Sequence, residues 1–267
     1  DQGFNPVYMM LHSGARGSQG SVFRAVCEKA EMPGLRTGDV VAVKVMLSDD
    51  NGETLRRLQD RIRLIQKTGH ANVVKYFGAF LVSGEFHSQI AVVMELLEGE
   101  PLSERIAKSR GGMDADEALR VVDLALSGLA ATEAAGIVHR DIKPSNIFIC
   151  RDGAVKLIDF ELARNEGGTT SVSGGRFLGT FDYMAPEFTD ASFRGDERSD
   201  VFSMGVVLHE ALCGRTPYAD GKSGGRQADF DFLARLFPVP YLEFVEKVFV
   251  NVICPVVYFE DVASVII

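Results

Sequence analysis

Residues 138 to 160 read Val138-His-Arg-Asp-Ile-Lys-Pro-Ser-Asn-Ile-Phe-Ile-Cys-Arg-Asp-Gly-Ala-Val-Lys-Leu-Ile-Asp-Phe160. Within this stretch, two short apolar runs flank a turn sequence, Arg151-Asp152-Gly153, and the pattern predicts strand, turn and strand. Asn146 comes just before the first predicted strand, and Asp159 comes just after the second. The predicted hairpin would therefore bring these two polar side chains together at the end opposite the turn.

The polar residues of this stretch share a chemistry. Asp141 lies in a predicted loop, where its carboxylate could accept the proton of an incoming hydroxyl group. Lys143, two residues later, can place a positive charge near a transferring phosphoryl group. Asn146 and Asp159 offer hard oxygen ligands, which Mg²⁺ prefers. The stretch therefore predicts phosphoryl transfer from a metal-bound nucleotide.

This run resembles the catalytic loop and the metal-binding strand of protein kinases. With a lysine two residues after the aspartate, the run resembles the serine/threonine branch of this family. The resemblance implies ATP as the nucleotide, a protein as the substrate, and Mg²⁺ as the metal, with Mn²⁺ as an alternative. It also implies that Asp141 is the base, that Lys143 contacts phosphate, and that Asn146 and Asp159 bind the metal.

The resemblance extends from Tyr8 to about Ile267 and implies an α+β, two-lobed protein kinase-like fold. We expect a five-stranded antiparallel small lobe in residues 1–97 and a mainly helical large lobe in residues 98–267. Together the two lobes would form one catalytic domain.

The composition indicates which classes of function and which cellular location the chain fits. The 267 residues are 46% hydrophobic, which is enough for a substantial core. Lysine and arginine number 28 against 37 acidic residues, so the net charge of −9 argues against nucleic acid as the main partner. The four cysteines show no paired spacing, which predicts a reducing, cytoplasmic location. No apolar run approaches the roughly 20 residues of a membrane span, and no signal peptide is recognisable.

A glycine-rich stretch, Gly14 to Gly20, lies between two predicted strands. Because glycine has no Cβ, its backbone amides can approach phosphates closely. In register with the kinase pattern, Gly17, Gly20 and Val22 match the second glycine, the third glycine and the valine. Ala15 stands where the first glycine belongs. The resemblance thus assigns this stretch to nucleotide binding.

Lys44 lies in the middle of a predicted strand of β-branched residues, Val40 to Val45. A lysine that points inward from such a strand is costly unless it meets an anion. The alternative is an edge strand with a solvent-facing lysine. The resemblance favours a lysine that contacts phosphate.

The resemblance also implies an adenine site on the small lobe and the segment after it. Its expected residues are Val22, Ala42, Met94, Glu95, Leu97 and Phe148. Met94 would close the back of the pocket, and Glu95 to Leu97 would form the hinge between the lobes. A purely structural core role for Val22, Ala42 and Phe148 is equally compatible with the sequence.

The helix predicted from Gly52 to Thr68 departs from the kinase pattern. Kinases place a glutamate here to pair with the strand lysine, but the corresponding residue is Arg61. One alternative is that Arg61 turns outward and Asp60 reaches inward. The other is that the helix stays swung away until phosphate or a regulatory partner draws it closer.

Two helices are expected in the large lobe. A capping pattern at Asp114 opens a helix through Ala135, and Gly136 ends it. A second helix begins near Arg198, and the resemblance implies that Asp200 on this helix holds the backbone of the catalytic loop. Two further helices are predicted at residues 229–237 and 241–253.

The end of the predicted activation segment, Gly179 to Glu187, resembles the kinase pattern closely, and Thr180 matches the threonine that bridges the catalytic aspartate and lysine. Glu161 replaces a glycine of the pattern, and Tyr258 replaces a late arginine. With Arg61, these departures leave a second hypothesis: a pseudokinase that acts as a nucleotide-binding signalling scaffold.

Overall fold

The computed structural model describes residues 8–10, 15–17, 20–30, 32–47, 52–83, 88–160, 181–185 and 196–217. The chain divides into two compact units. The first unit contains residues 1–100, 127–137 and 148–171, and the second unit contains residues 101–126, 138–147 and 172–267. The predicted division into lobes at residue 97 stays a prediction.

The first unit contains a six-stranded antiparallel sheet. Its strands are β1 (Tyr8–Met10), β2 (Ala15–Gly17), β3 (Gly20–Cys27), β4 (Val40–Leu47), β5 (Tyr76–Ser83) and β6 (Ser88–Glu95). The order is β1-β3-β4-β6-β5, and β2 pairs with β3. The path of five strands agrees with the predicted five-stranded sheet, and β2 is an addition within the glycine-rich stretch.

Packing in this sheet follows from the apolar, β-branched residues of its central strands. Val41 and Val43 of β4 pack with Val93 of β6 in a cluster of buried side chains. β4 lies between β3 and β6, so it is an internal strand. The alternative that placed Lys44 on an edge strand is therefore wrong.

Helix α1 (Glu53–Thr68) lies between two glycines with left-handed backbone angles, Gly52 and Gly69. Its buried residues Leu58, Ile62 and Ile65 recur at helical spacing, as the sequence predicted. Two glutamines tie the helix to β5, because the Nε2 atoms of Gln59 and Gln66 donate to Ala79 O and Tyr76 O.

A second sheet has the order β7-β8-β9, formed by β7 (Gly99–Pro101), β8 (Ile147–Cys150) and β9 (Val155–Leu157). Strands β8 and β9 are the predicted hairpin. Gly99 has φ 155°, and a Cβ there would lie 2.0 Å from the backbone oxygen of Ile149, so only glycine fits. β9 is also attached to the chain before β5, since Val74 N donates to Leu157 O.

The helices that follow β7 are α2 (Leu102–Lys108), α3 (Ala115–Glu133) and α4 (Glu197–Cys213). As predicted, Asp114 caps α3 by accepting the N–H of Glu117. Asp196 and Ser199 form a capping box at the start of α4, and Gly214 ends that helix. Short 3₁₀ turns occur at Pro144–Asn146 and Phe181–Tyr183.

Among the helices that the structure describes, none is both long enough and apolar enough to span a bilayer. The two helices predicted at residues 229–237 and 241–253 lie outside the described residues, as do Glu161 and Tyr258.

Candidate active site

Asp200 holds the backbone of the loop that carries Asp141. Its Oδ2 accepts the N–H of His139 at 2.6 Å, and its Oδ1 accepts the N–H of Arg140 at 2.7 Å. Arg140 has φ 66°, a left-handed backbone angle that is uncommon outside glycine. Two charge-assisted hydrogen bonds at this point therefore fix an unfavourable backbone conformation, as the family resemblance implied for Asp200.

The two carboxylate oxygens of Asp141 have different surroundings. Oδ2 accepts hydrogen bonds from Lys143 Nζ at 2.8 Å and from Asn146 Nδ2 at 3.0 Å. Oδ1 is buried and has no hydrogen-bond partner among the residues that the structure describes. The carboxylate is therefore oriented through one oxygen, while the other oxygen stays able to accept a proton.

Asn146 is buried at the end of the 3₁₀ turn, next to Asp141. Its Nδ2 donates both to Asp141 O at 2.7 Å and to Asp141 Oδ2. These bonds use both amide hydrogens, so the orientation of the side chain is set. Its carbonyl oxygen remains, and a neutral oxygen ligand fits a hard cation such as Mg²⁺.

Lys44 is buried on β4 in the first unit, and it meets an anion there. Its Nζ lies 2.7 Å from Oδ1 of Asp159, two residues after the end of β9. A buried ammonium group needs such a partner because water no longer solvates it. Only Oδ1 of Asp159 has a hydrogen-bond partner within the described part of the chain, so Oδ2 could serve as a metal ligand.

Helix α1 supplies no carboxylate to Lys44, which confirms that the usual lysine–glutamate pair is missing. Its two acidic residues pair elsewhere: Asp60 with Arg63 at 2.7 Å, and Glu53 with Arg57. Asp60 is exposed on the helix surface, so the alternative in which Asp60 reaches inward is wrong.

Arg61 does not turn fully outward either, because its side chain is half-buried. Its guanidinium group lies close enough to Tyr76 to lower the pKa of that phenol. The larger effects act in the opposite direction: burial and the Asp159 carboxylate raise the pKa of Tyr76 well above its ordinary value. Tyr76 therefore stays protonated beside Asp159.

The expected nucleotide-binding residues of the first unit occupy neighbouring strands. Gly17 and Gly20 pair directly across the β2–β3 hairpin, and Val22 of β3 pairs with Lys44 of β4. Ala42 pairs with Met94 of β6. Glu95 ends β6, Leu97 follows it, and Phe148 lies half-buried on β8. Their role in nucleotide binding stays a prediction.

The sequence comparisons agree with this geometry. The family described as the protein kinase domain matches residues 14–245. The chain belongs to the protein kinase family.

Curated relatives of this kinase domain include two proteins of Mycobacterium tuberculosis. The chain is 36% identical over 213 residues to serine/threonine-protein kinase PknL, a match that covers 79% of this chain and 50% of PknL. It is 35% identical over 212 residues to serine/threonine-protein kinase PknA, covering 77% of this chain and 46% of PknA. The kinase domain thus spans about half the length of these relatives, and the predicted α+β, two-lobed kinase fold is confirmed.

One contact in this kinase domain was missed by the sequence reasoning, although it involves an expected hinge residue. The carboxylate of Glu95 accepts hydrogen bonds from Lys156 Nζ and from the backbone N–H of Lys75, both at 2.7 Å. Lys156 lies on β9, three residues before Asp159. No sequence pattern indicates this pair, because its members are 61 residues apart.

A second contact that the sequence reasoning missed lies in the second unit. The hydroxyl of Tyr183 donates to the Glu210 carboxylate on α4, and burial raises the pKa of Glu210. A small cavity nearby is bordered by Arg140, Asp141 and Tyr183. Thr180, which the kinase resemblance places at this site, lies outside the described residues.

Proposed function

We propose that this kinase domain transfers the γ-phosphoryl group of ATP to serine or threonine hydroxyls of protein substrates. One observation carries the proposal: Asp141 is held through Oδ2 by Lys143 and Asn146, while its buried Oδ1 has no partner among the described residues. A substrate hydroxyl that approaches Oδ1 can give up its proton there as the oxygen attacks phosphorus. The names of the curated relatives support serine and threonine as the acceptors.

Lys143 is suited to a second task in the same step. Its ammonium group is already held beside Asp141 and is partly exposed, so it can also approach a phosphoryl oxygen. Negative charge on the transferring group would be stabilised by this cation without a change in the position of the base. Thr180 would bridge Asp141 and Lys143, as the family pattern implies.

The first unit is proposed to hold the nucleotide. Lys44 would contact its phosphates, and the backbone of Gly17 and Gly20 would approach them closely. The adenine ring would pack against the residues of the expected pocket, Val22, Ala42, Met94, Glu95, Leu97 and Phe148. The contact between Glu95 and Lys156 would steady the hinge backbone that adenine meets.

Asn146 and Asp159 are the residues proposed to hold Mg²⁺, with Mn²⁺ as the alternative. Both present oxygen atoms that no described protein group occupies, and the chemistry of these donors fits a hard cation. When bound, the ion neutralises charge on the phosphates. Asp159 is itself held by Lys44, so the chain fixes the direction of this ligand in advance.

We also propose a cytoplasmic location and a regulatory partner at residues 52–68. Cys27 and Cys150 are free thiols, which agrees with a reducing compartment. Because α1 provides no carboxylate to Lys44, a partner that binds residues 52–68 could change the position of this helix.

The proposal is tested by incubating the protein with Mg²⁺, γ-labelled ATP and a generic basic protein, with Asp141→Asn as the matched control. We expect label on serine and threonine of the acceptor, and a decrease of about 10²–10⁴-fold in the variant. Nucleotide binding without any transfer by the wild-type protein would overturn the proposal and favour a pseudokinase scaffold.

A further inference from the structure

Asn72, in the segment before β5, is a buried asparagine that bonds to β9 through both its backbone and its side chain. Its carbonyl oxygen accepts the N–H of Leu157 at 2.9 Å, and its Nδ2 donates to Val155 O at 2.8 Å. Only 9% of the residue is exposed. The side-chain bond joins parts of the chain that are 83 residues apart, so it holds β9 from outside the β8–β9 hairpin.

This side-chain bond occupies a position that a backbone N–H group would fill in a regular sheet. The segment around Asn72 pairs with β9 as a parallel strand, with Val73 opposite Leu157. If the pairing continued regularly, the backbone N–H of Asn72 would donate to Val155 O. That N–H instead donates to Nδ1 of His70 at 3.2 Å. Nδ2 of the Asn72 side chain therefore replaces the missing backbone donor.

Helix α3 packs against Asn72 as well. A Cβ at Gly128 would lie 2.7 Å from Asn72 O and 3.2 Å from Asn72 Cβ, so glycine allows α3 to approach this closely. All of these residues belong to the first unit. Because the bond from Nδ2 to Val155 O is buried, water cannot readily replace it. Removal of the amide donor would therefore weaken the attachment of β9.

The attachment of β9 matters for Asp159, which follows this strand closely. β9 ends at Leu157, and only Ile158 separates that residue from Asp159. The φ of Asp159 is 59°, a left-handed value that is unfavourable for a residue with a Cβ. Lys44 Nζ holds one carboxylate oxygen at 2.7 Å, which orients only the end of the side chain. The position of the backbone depends on where β9 ends.

We propose that Asn72 is a positioning residue for Asp159: its side-chain amide holds β9 in the place from which the Asp159 carboxylate reaches both Lys44 and the metal ion. The inference rests on the proposed function, in which Asp159 binds that metal. The role is indirect, because Asn72 acts on the backbone of β9. Since α1 contributes no carboxylate to Lys44, the placement of Asp159 also sets the position of the lysine ammonium group.

The test compares the wild-type protein with two variants that lack the amide donor. Asn72→Leu removes it without adding a charge, and Asn72→Asp keeps the shape of the side chain. Calorimetry measures how binding of a nonhydrolysable ATP analogue depends on Mg²⁺ concentration, and initial rates measure kcat. In both variants we expect the Mg²⁺ concentration for half-maximal binding to rise, and kcat to fall, by about tenfold each. Binding of the analogue without Mg²⁺ should stay within about twofold of wild type.

Thr132→Val is the matched control, since it also removes a buried hydrogen-bond donor from the first unit. Thr132 Oγ1 donates to Leu129 O within its own helix and makes no contact with β9 in the structure. This variant should lower the melting temperature, as the Asn72 variants should, but it should leave the Mg²⁺ dependence unchanged. Should Asn72→Leu not fold, Asn72→Ala takes its place as the uncharged variant.

A lower melting temperature with wild-type Mg²⁺ dependence and kcat in the uncharged variant would overturn the inference, because Asn72 would then serve stability only. A shift in Asn72→Asp alone would also overturn it, since the new charge would be the cause. Both results leave the proposed function standing. If the wild-type protein binds the nucleotide analogue with no dependence on Mg²⁺, both the proposed function and this inference fail.

Discussion

Among the described residues, each unit of the chain holds one lysine–aspartate ion pair; the lysine is the more buried member of one pair, and the aspartate is the more buried member of the other. In the first unit, Lys44 Nζ lies 2.7 Å from Asp159, with 5% of the lysine side chain and 25% of the aspartate side chain exposed. In the second unit, Lys143 Nζ lies 2.8 Å from Asp141, with 20% of the lysine and 3% of the aspartate exposed. The cation is therefore desolvated in one pair, and the anion in the other.

This difference indicates which member of each pair is more accessible from solution. The buried partner depends on its neighbour for charge compensation, because burial of an unpaired charge is strongly unfavourable. The more exposed partner keeps atoms that can reach a ligand, which in the proposed function is a metal ion at Asp159 and a phosphoryl group at Lys143. In the proposed function the buried partners act as well, since Lys44 would contact the phosphates and the buried Oδ1 of Asp141 would take the substrate proton.

The largest expected effect is on activity, when the pair of the first unit is broken. Lys44→Met and Asp159→Asn should each lower the initial rate of phosphoryl transfer by about 10²–10³-fold, because each removes one charge that acts on the phosphates or the metal. Asparagine tolerates the left-handed backbone of Asp159, so that change is a local one.

The same two variants also test whether the Lys44–Asp159 pair takes part in the reaction. Asp159→Asn should also weaken Mg²⁺-dependent nucleotide binding, measured by titration with and without Mg²⁺. Turnover at the wild-type rate in either variant contradicts the assignment of this pair to the reaction.

The next prediction compares the two pairs by the free energy of unfolding of their variants. Asp159→Asn leaves the buried Lys44 without its anion. It should therefore lower the free energy of unfolding by about 1–3 kcal/mol more than Lys44→Met does. In the second unit the order should be reversed, with Lys143→Met costing more than Asp141→Asn. Urea unfolding of the four variants measures both differences. If the aspartate variant lost more unfolding free energy than the lysine variant in both pairs, burial would not explain the stability of these pairs.

The two pairs also differ in how well the sequence predicts them. Asp141 and Lys143 are two residues apart, so their proximity follows from the local chain. Lys44 and Asp159 are 115 residues apart, and the sequence alone left the partner of the lysine open. The family pattern predicted the fold and the hydrogen bonds from Asp200 to the loop that carries Asp141, whereas the roles of Asp141 and Asp159 in the reaction stay predictions.

Other contacts could not be predicted, because they depend on strand pairing and burial. The pattern that predicts β5 does not say that the Tyr76 hydroxyl ends beside Asp159. Nor does the spacing of Glu95 and Lys156 indicate an ion pair. Asp60 was a reasonable candidate for Lys44 by sequence, but the rotation of α1 places it on the exposed side, where Arg63 is the nearer partner.

A smaller effect is expected at the start of α4, the helix that supports the pair of the second unit through Asp200. Asp196→Ala should cost about 1 kcal/mol at neutral pH, because it removes the side chain that caps the helix. The hydrogen bond from Arg198 holds the pKa of Asp196 below its ordinary value of 3.8. This stability is therefore present above that value and is lost as the pH falls through the lower folded pKa. Urea unfolding at neutral pH and near pH 3 should show the difference shrinking; a constant difference contradicts the charge-based account.

The smallest effect concerns α1. Asp60→Ala should change the transfer rate by less than about twofold, since exposed ion pairs such as Asp60–Arg63 contribute little. Glu53→Ala, which breaks the other exposed pair of the helix, is the control. A sharp loss of activity in Asp60→Ala alone would mean that this carboxylate reaches Lys44 during turnover.

The central claim is that the two lysine–aspartate pairs serve one reaction. It is tested most directly by the initial rates of γ-phosphoryl transfer for wild type, Asp141→Asn, Asp159→Asn and the double variant. Groups that act in the same transition state are strongly non-additive, so the double variant should retain about the rate of the slower single variant. A double variant slowed by the product of the two single effects, or a single variant with the wild-type rate, would contradict the account.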